Sequence, residues 1–179
     1  MREVVPGLNK KIRRIKDFPK KGIIFWDITT LFRDPDGLKK VIEAFVKRYK
    51  KKDIDCIASI ESRGFIVGST VAYLLGVGFV LIRKKGKLPY DTIEESYVKE
   101  YGADTIEMHT DDIKKGDKVL LLDDLLSTGS TTKAAIKLIE RSGGTVLECS
   151  YIIEFIEFGA QEKLKKYKLF SLIKCKETE

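Results

Sequence analysis

The sequence is poor in the residues that build metal clusters and disulfide frameworks. Of 179 residues, one is histidine, His109, and three are cysteine, at positions 56, 149 and 175. Cysteines so far apart write neither a disulfide scaffold nor a zinc pattern, and a lone imidazole excludes any mechanism that needs a histidine pair. Cys56 and Cys149 stand inside apolar runs and read as buried reduced thiols, and His109 reads as structural. With 4 prolines and 14 glycines the chain is neither collagen-like nor disordered in composition. Long apolar runs are missing too. The richest, Tyr73 to Ile82, is about ten residues, roughly half of what a bilayer-crossing helix needs, and the N-terminal MREVVPGLNKKIRR has no signal-peptide core. These absences leave one soluble domain over residues 1–179, expected in the cytoplasm and away from membranes.

What is abundant is charge. The formal net charge is +7, which by itself permits nucleic acid, anionic surfaces or phosphorylated small molecules as partners. Its distribution narrows the choice. Residues 91–124 hold eleven acids against four lysines, so the positive excess lies elsewhere, in dispersed clusters with no aromatic-interleaved basic stripe. The clusters at 47–52 and 163–168 read as solvated helix ends, where lysine suits the macrodipole. No nucleic-acid partner is expected.

Along the chain, the clearest helix is predicted over about 35–51. Asp34 can cap it, Pro35 suits its first position, and Leu38, Val41, Ile42, Phe45, Val46 and Tyr49 repeat at helical spacing. An apolar run, Ile54 to Ile60, then leads through the turn Glu61-Ser62-Arg63-Gly64 into a helical pattern from Phe65 to Leu75 and a strand-like run from Gly78 to Arg83. A second such unit starts at Lys118 to Leu122, passes through a turn into a helix carrying Ala135, Leu138 and Ile139, and ends with a strand from Val146 to Ile153. Strands that read as continuous apolar runs between helices imply an α/β fold with a parallel sheet covered on both faces, its ligands at the carboxyl ends of the strands. Between the units, residues 84–117 are polar, with Asp104 to His109 alternating. That segment is expected to form an antiparallel flap with one face covered and one solvated.

The chemistry concentrates in Val119-Leu120-Leu121-Leu122-Asp123-Asp124-Leu125-Leu126-Ser127-Thr128-Gly129-Ser130-Thr131. An apolar strand delivers two carboxylates to the sheet rim, a hydroxyl-rich turn with a glycine follows, and a helix then opens with unpaired N–H groups. Hydroxyls and N–H groups suit a phosphate, and the carboxylates can accept from sugar hydroxyls or hold a metal. A phosphorylated sugar fits all three devices. Asp, Ser and Thr are each common at strand ends and helix caps. Two adjacent carboxylates behind four apolar residues are not, because they repel unless a ligand or cation relieves them. No Walker loop and no G-x-G-x-x-G is present.

This run resembles the phosphoribosyl pyrophosphate (PRPP) motif of type I phosphoribosyltransferases. Further segments resemble the adenine-specific branch: Ile12-Arg13 to Asp17-Phe18-Pro19, Gly22-Ile23-Ile24-Phe25-Trp26-Asp27-Ile28-Thr29, Glu61-Ser62-Arg63-Gly64-Phe65, Arg83 to Pro89, and Tyr97 through Glu100-Tyr101-Gly102. The resemblance implies a Rossmann-like parallel sheet with an N-terminal hood over about 1–33, a flexible flap over about 84–117, and a homodimer. The activity it implies is Mg²⁺-dependent attack of adenine N9 on PRPP, giving AMP and pyrophosphate in purine salvage. It assigns the ribose 5′-phosphate to Ser127, Thr128, Gly129, Ser130 and Thr131, and the ribose hydroxyls or the metal's waters to Asp123 and Asp124.

Pyrophosphate falls to Glu61, Ser62 and Arg63, in a loop where the family often has a cis peptide, and to Arg83, Lys84 and Lys87. Arg63 is the implied electrostatic catalyst. Glu100 matches the family's proposed acid/base for the purine proton, with Tyr101 beside it in the flap. Ile24, Phe25 and Trp26 correspond to the adenine-recognising segment, although many relatives carry Arg at the position of Trp26, which leaves backbone recognition through Ile24 as the firmer expectation. Lys21, where Pro is common, loosens the preceding turn. A transferase for hypoxanthine, guanine or xanthine is the near alternative. A non-catalytic PRPP sensor would need a DNA-binding module for which this fold leaves no room in 179 residues.

Overall fold

The computed structural model describes residues 1–99 and 102–178. In chain order its elements are β1 (Arg2–Glu3), β2 (Arg13–Lys16), β3 (Ile24–Asp27), α1 (Thr29–Arg33), α2 (Pro35–Tyr49), β4 (Cys56–Ile60), α3 (Arg63–Leu75), β5 (Gly78–Lys84), β6 (Thr92–Lys99), β7 (Gly102–His109), β8 (Lys118–Leu126), α4 (Ser130–Arg141), β9 (Thr145–Phe155), α5 (Ala160–Lys163) and β10 (Leu169–Cys175). Among the described residues no helix is long and apolar enough to cross a membrane.

α2 forms for the reasons its sequence states. Asp34 accepts a hydrogen bond from the Asp36 N–H at 3.2 Å, Pro35 occupies the first turn, and Val41, Ile42, Phe45 and Tyr49 are buried along one stripe. The helix stops at Tyr49, and its basic end is exposed as expected, with Arg48 in addition pairing with Glu148 and lying over the Phe170 ring at 3.8 Å.

One sheet has the order β1-β10-β9-β8-β4-β5-β7-β6, with β10, β9, β8, β4 and β5 mutually parallel. β1 and β7 join its two sides antiparallel, and β6 pairs antiparallel with β7. The expected α/β architecture with an antiparallel flap is therefore present. The apolar run of β8 explains why both faces are covered. Leu120 and Leu122 pack with the hood residues Leu8, Trp26 and Leu31 and with α2 and α3, whereas Val119 and Leu121 pack with α4 and with Ile106 and Met108 of β7. With alternate side chains leaving opposite faces, a strand with both faces buried has few places for polar residues.

Some boundaries differ from the expectation. β8 continues past Leu122 to Leu126 because Asp123, Leu125 and Leu126 stay in register with Tyr151, Ile153 and Glu154 of β9. α3 begins already at Arg63, which shortens the preceding turn. The lysines at 163–168 are exposed at and after the end of a helix of one turn, α5, and a strand that the sequence reading does not contain, β10, follows. In the flap, the face opposite Ile106 and Met108 is not solvated at Glu107, which is only 3% exposed, because the chain after β5 folds over it.

Candidate active site

The carboxyl ends of β4 and β8 and the start of α4 enclose a cavity of about 230 Å³. Asp123 and Asp124 reach it from β8, Ser127 to Thr132 close its far side, Glu61 enters from the end of β4, and Lys84 and Tyr97 come from the flap side. Gly129, at φ 74°, stands in the left-handed region that a side chain disfavours, and this turn launches α4 with its first residues, Ser130 to Thr132, lining the cavity. Thr128 Oγ1 accepts from the Ser130 N–H at 3.4 Å, and Lys163 Nζ donates to Ser130 Oγ at 3.0 Å. Beneath the turn, the buried Tyr151 hydroxyl donates to Thr132 Oγ1 at 2.9 Å and fixes the first turn of α4.

The two aspartates differ in their surroundings. Asp124 pairs with Arg63, Nε to Oδ2 at 2.6 Å. Asp123 accepts from the Asp124 N–H at 2.9 Å, and α3 presses so close that a Cβ at Gly64 would meet Asp123 Oδ1 at 2.5 Å. Burial, and then the neighbouring Asp124 charge, push the Asp123 carboxyl well above the usual carboxylate range. A cation or a sugar hydroxyl at this position would favour the ionised form. The donors here are oxygen atoms throughout, which suits a hard divalent cation sharing its shell with substrate oxygens.

The pyrophosphate candidates form a second cluster beside the first. The Glu61–Ser62 peptide is cis. Arg83 Nε donates to Glu61 Oε2 at 2.6 Å, and its Nη1 donates to the Lys87 carbonyl at 3.0 Å. Lys84 and Lys87 are exposed. The hood approaches through Phe25, whose ring centroid lies 5.5 Å from the Arg63 guanidinium carbon. Ile24 and Phe25 are partly exposed, but Trp26 turns into the core. Its ring packs edge-on to Phe155 and under Arg14, and its N–H donates to the Glu177 carbonyl at 2.8 Å. The indole is thus committed to packing, and β3 reaches toward the site through the Phe25 ring beside Arg63. Glu100 and Tyr101 lie outside the described residues. His109 is part-buried against Tyr90.

Three residues near the site were not singled out from the sequence. Glu107 accepts from the Lys87 and Leu88 N–H groups, each at 2.8 Å. Asp27, an acid closing the apolar β3, binds the Thr29 hydroxyl at 2.6 Å and Arg13 Nη2 at 2.5 Å, and these contacts lower its pKa to about 2. Its position after Ile24-Phe25-Trp26 was the available signal. Lys163 carries none, since its approach to Ser130 depends on the turn at Gly159.

Residues 27–178 match the phosphoribosyl transferase domain family. The chain is 53% identical over 175 residues to the adenine phosphoribosyltransferase of Methylobacillus flagellatus, covering 97% of this chain and 99% of that one. Its structure is similar to that of the adenine phosphoribosyltransferase of Thermoanaerobacter pseudethanolicus, with TM-score 0.91 and 43% identity over 94% of this chain and 98% of the other. It is also similar to the Giardia lamblia enzyme complexed with 9-deazaadenine, with TM-score 0.89 and 39% identity over 94% and 96% of the two chains. Given the cavity between β4, β8 and α4 and these similarities, the chain belongs to the type I phosphoribosyltransferases and, within them, to the adenine phosphoribosyltransferases.

Proposed function

We propose that the protein transfers the 5-phosphoribosyl group of PRPP to N9 of adenine, releasing pyrophosphate and forming AMP, as a purine-salvage enzyme. The observation that carries this reading is the continuity of β8 into α4, which puts two carboxylates, a left-handed glycine and a helix start around one cavity that Glu61 and Lys84 also line. In this reading Ser127 to Thr131 bind the 5′-phosphate and Asp123 and Asp124 take the ribose hydroxyls. Glu61, Ser62, Arg63, Arg83, Lys84 and Lys87 surround the pyrophosphate. The transition state is oxocarbenium-like, so cations facing the departing pyrophosphate matter most and proton removal from adenine by Glu100 comes second. Backbone groups around Ile24, with Phe25, face the base.

The family implies a divalent metal, and we take it to be Mg²⁺, held mainly through PRPP, with Asp123 and Asp124 as the residues that would order its waters. When bound, it supplies charge that offsets the leaving pyrophosphate. We further propose a homodimer joined through the outer face of α3, where Ile66, Tyr73 and Leu74 are exposed at helical spacing beside Leu81 of β5. A cytoplasmic setting agrees with three free, buried thiols. The deciding assay supplies PRPP, Mg²⁺ and adenine, hypoxanthine, guanine or xanthine in turn and follows pyrophosphate release. Turnover with adenine above the other three is expected, and preference for another purine, or turnover with none, overturns the reading.

A further inference from the structure

Glu107 has no place in the roles assigned so far, yet it is among the most deeply buried carboxylates in the structure. In β7 it lies opposite Arg83 of β5 and Glu94 of β6, pointing away from the core face that holds Ile106 and Met108. The chain after β5 turns at Gly86 and folds over it. Oε1 accepts from the Lys87 and Leu88 N–H groups at 2.8 Å each, and Oε2 faces the Thr92 hydroxyl at 3.5 Å. These backbone dipoles outweigh burial and hold the Glu107 carboxyl below its ordinary range, so the anion occupies the turn.

The turn is connected onward to the site. The carbonyl of Lys87, whose N–H is fixed by Glu107, accepts from Arg83 Nη1 at 3.0 Å. The same guanidinium donates through Nε to Glu61 at 2.6 Å, and Glu61 borders the cavity two residues before Arg63. A single ladder therefore runs from Glu107 through the Lys87 backbone, Arg83 and Glu61 to the loop that carries Arg63. Every cation assigned to pyrophosphate stands on this ladder or next to it.

We propose that Glu107 is a positioning residue for pyrophosphate: by gripping the N–H groups of residues 87 and 88, it holds Lys87 and Arg83 in the arrangement that receives the diphosphate end of PRPP. It touches no substrate and acts through Lys87 and Arg83. The inference rests on the placement of pyrophosphate proposed above. It predicts a selective defect, because the 5′-phosphate turn at 127–131 lies off this ladder and the hood meets only its far end, where Phe25 stands beside Arg63.

The test compares wild type, Glu107→Gln and Glu107→Ala by calorimetry with inorganic pyrophosphate plus Mg²⁺ and, separately, with AMP, together with KM values for PRPP and adenine. Glu107→Ala is expected to weaken pyrophosphate binding and raise the PRPP KM about tenfold, the scale of a lost charged hydrogen bond, while AMP affinity and the adenine KM stay within about twofold. Glu107→Gln keeps an acceptor oxygen for the two N–H groups and is expected to restore most of the loss. Should the alanine variant not fold, Glu107→Asp, which keeps a carboxylate but draws it back from the two N–H groups, takes its place and is expected to weaken pyrophosphate more than AMP. Equal weakening of pyrophosphate and AMP, or no change in either, overturns the proposal. Absence of adenine transfer by wild type would instead refute the function proposed above, and the pyrophosphate titration would still judge Glu107.

Discussion

Arg63 and Asp124 are bound to each other, Nε to Oδ2 at 2.6 Å, across the gap between the start of α3 and the end of β8. One is assigned to the pyrophosphate end of the substrate and the other to its ribose. Their pairing neutralises a carboxylate that is 9% exposed and would otherwise repel Asp123. It also sets the separation of the two substrate-binding clusters before any ligand arrives, which is the preorganisation that electrostatic catalysis requires.

Replacing both Asp123 and Asp124 with Asn should weaken PRPP binding by about 2 kcal/mol or more, the scale of lost charged hydrogen bonds. Calorimetric titration with PRPP and Mg²⁺ checks this, and unchanged affinity removes the pair from the binding site. Asp123→Asn alone should at the same time stabilise the ligand-free protein. The folded-state pKa of Asp123 is raised, so its ionisation costs stability as pH rises above the ordinary carboxylate range. The gain in thermal midpoint should be present at pH 7 and vanish below about pH 4.

Gly64→Ala places a methyl group 2.5 Å from Asp123 Oδ1. Either the carboxylate moves or α3 shifts, and both disturb the ribose end of the site. The expected result is a rise in the PRPP KM of about tenfold or more, with stability lowered by about 1–3 kcal/mol, as for other overpacked positions. Steady-state kinetics and urea unfolding of the same variant give both numbers.

Glu100→Ala is expected to lower kcat far more than it alters the KM of either substrate, by about 10²- to 10⁴-fold, the usual contribution of a general base. A variant that turns over at the wild-type rate would end the assignment of Glu100.

Asp27 ties the hood together through Thr29 and Arg13, and its depressed pKa of about 2 makes it a stabilising anion. That contribution is present above the ordinary carboxylate pKa and is lost as pH falls toward 2. Asp27→Asn should therefore cost about 1 kcal/mol at pH 7, less than the full shift implies because Arg13 is largely exposed to solvent. The difference between wild type and variant in urea unfolding should shrink from pH 4 downward.

Much of this protein is legible before any fold is known. The apolar runs Ile54 to Ile60, Lys118 to Leu122 and Val146 to Ile153 announce a parallel sheet buried on both faces, since a strand with one solvated face would alternate with polar residues. The pattern of two acids followed by hydroxyls and a glycine announces a phosphate and sugar site, because each residue type matches a local hydrogen-bonding need. α2 follows from its cap, its proline and its spacing. All of these are decided within one or two neighbouring elements.

Contacts between distant segments are not legible in that way. Alternation in β7 says that Glu107 leaves the face opposite Ile106 and Met108, but only the return of residues 85–91 decides that this face is covered. Trp26 looks equally able to meet a base or enter the core, and a carbonyl 151 residues away, at Glu177, settles it. The Arg63–Asp124 pair joins residues with no sequence relation. The amino-acid order determines local conformation, burial pattern and the chemistry available at each strand end. Which of those groups meet, and which charges are spent on one another, is decided by the packing of the whole sheet, because hydrogen bonds and ion pairs depend on distances that only chain closure sets.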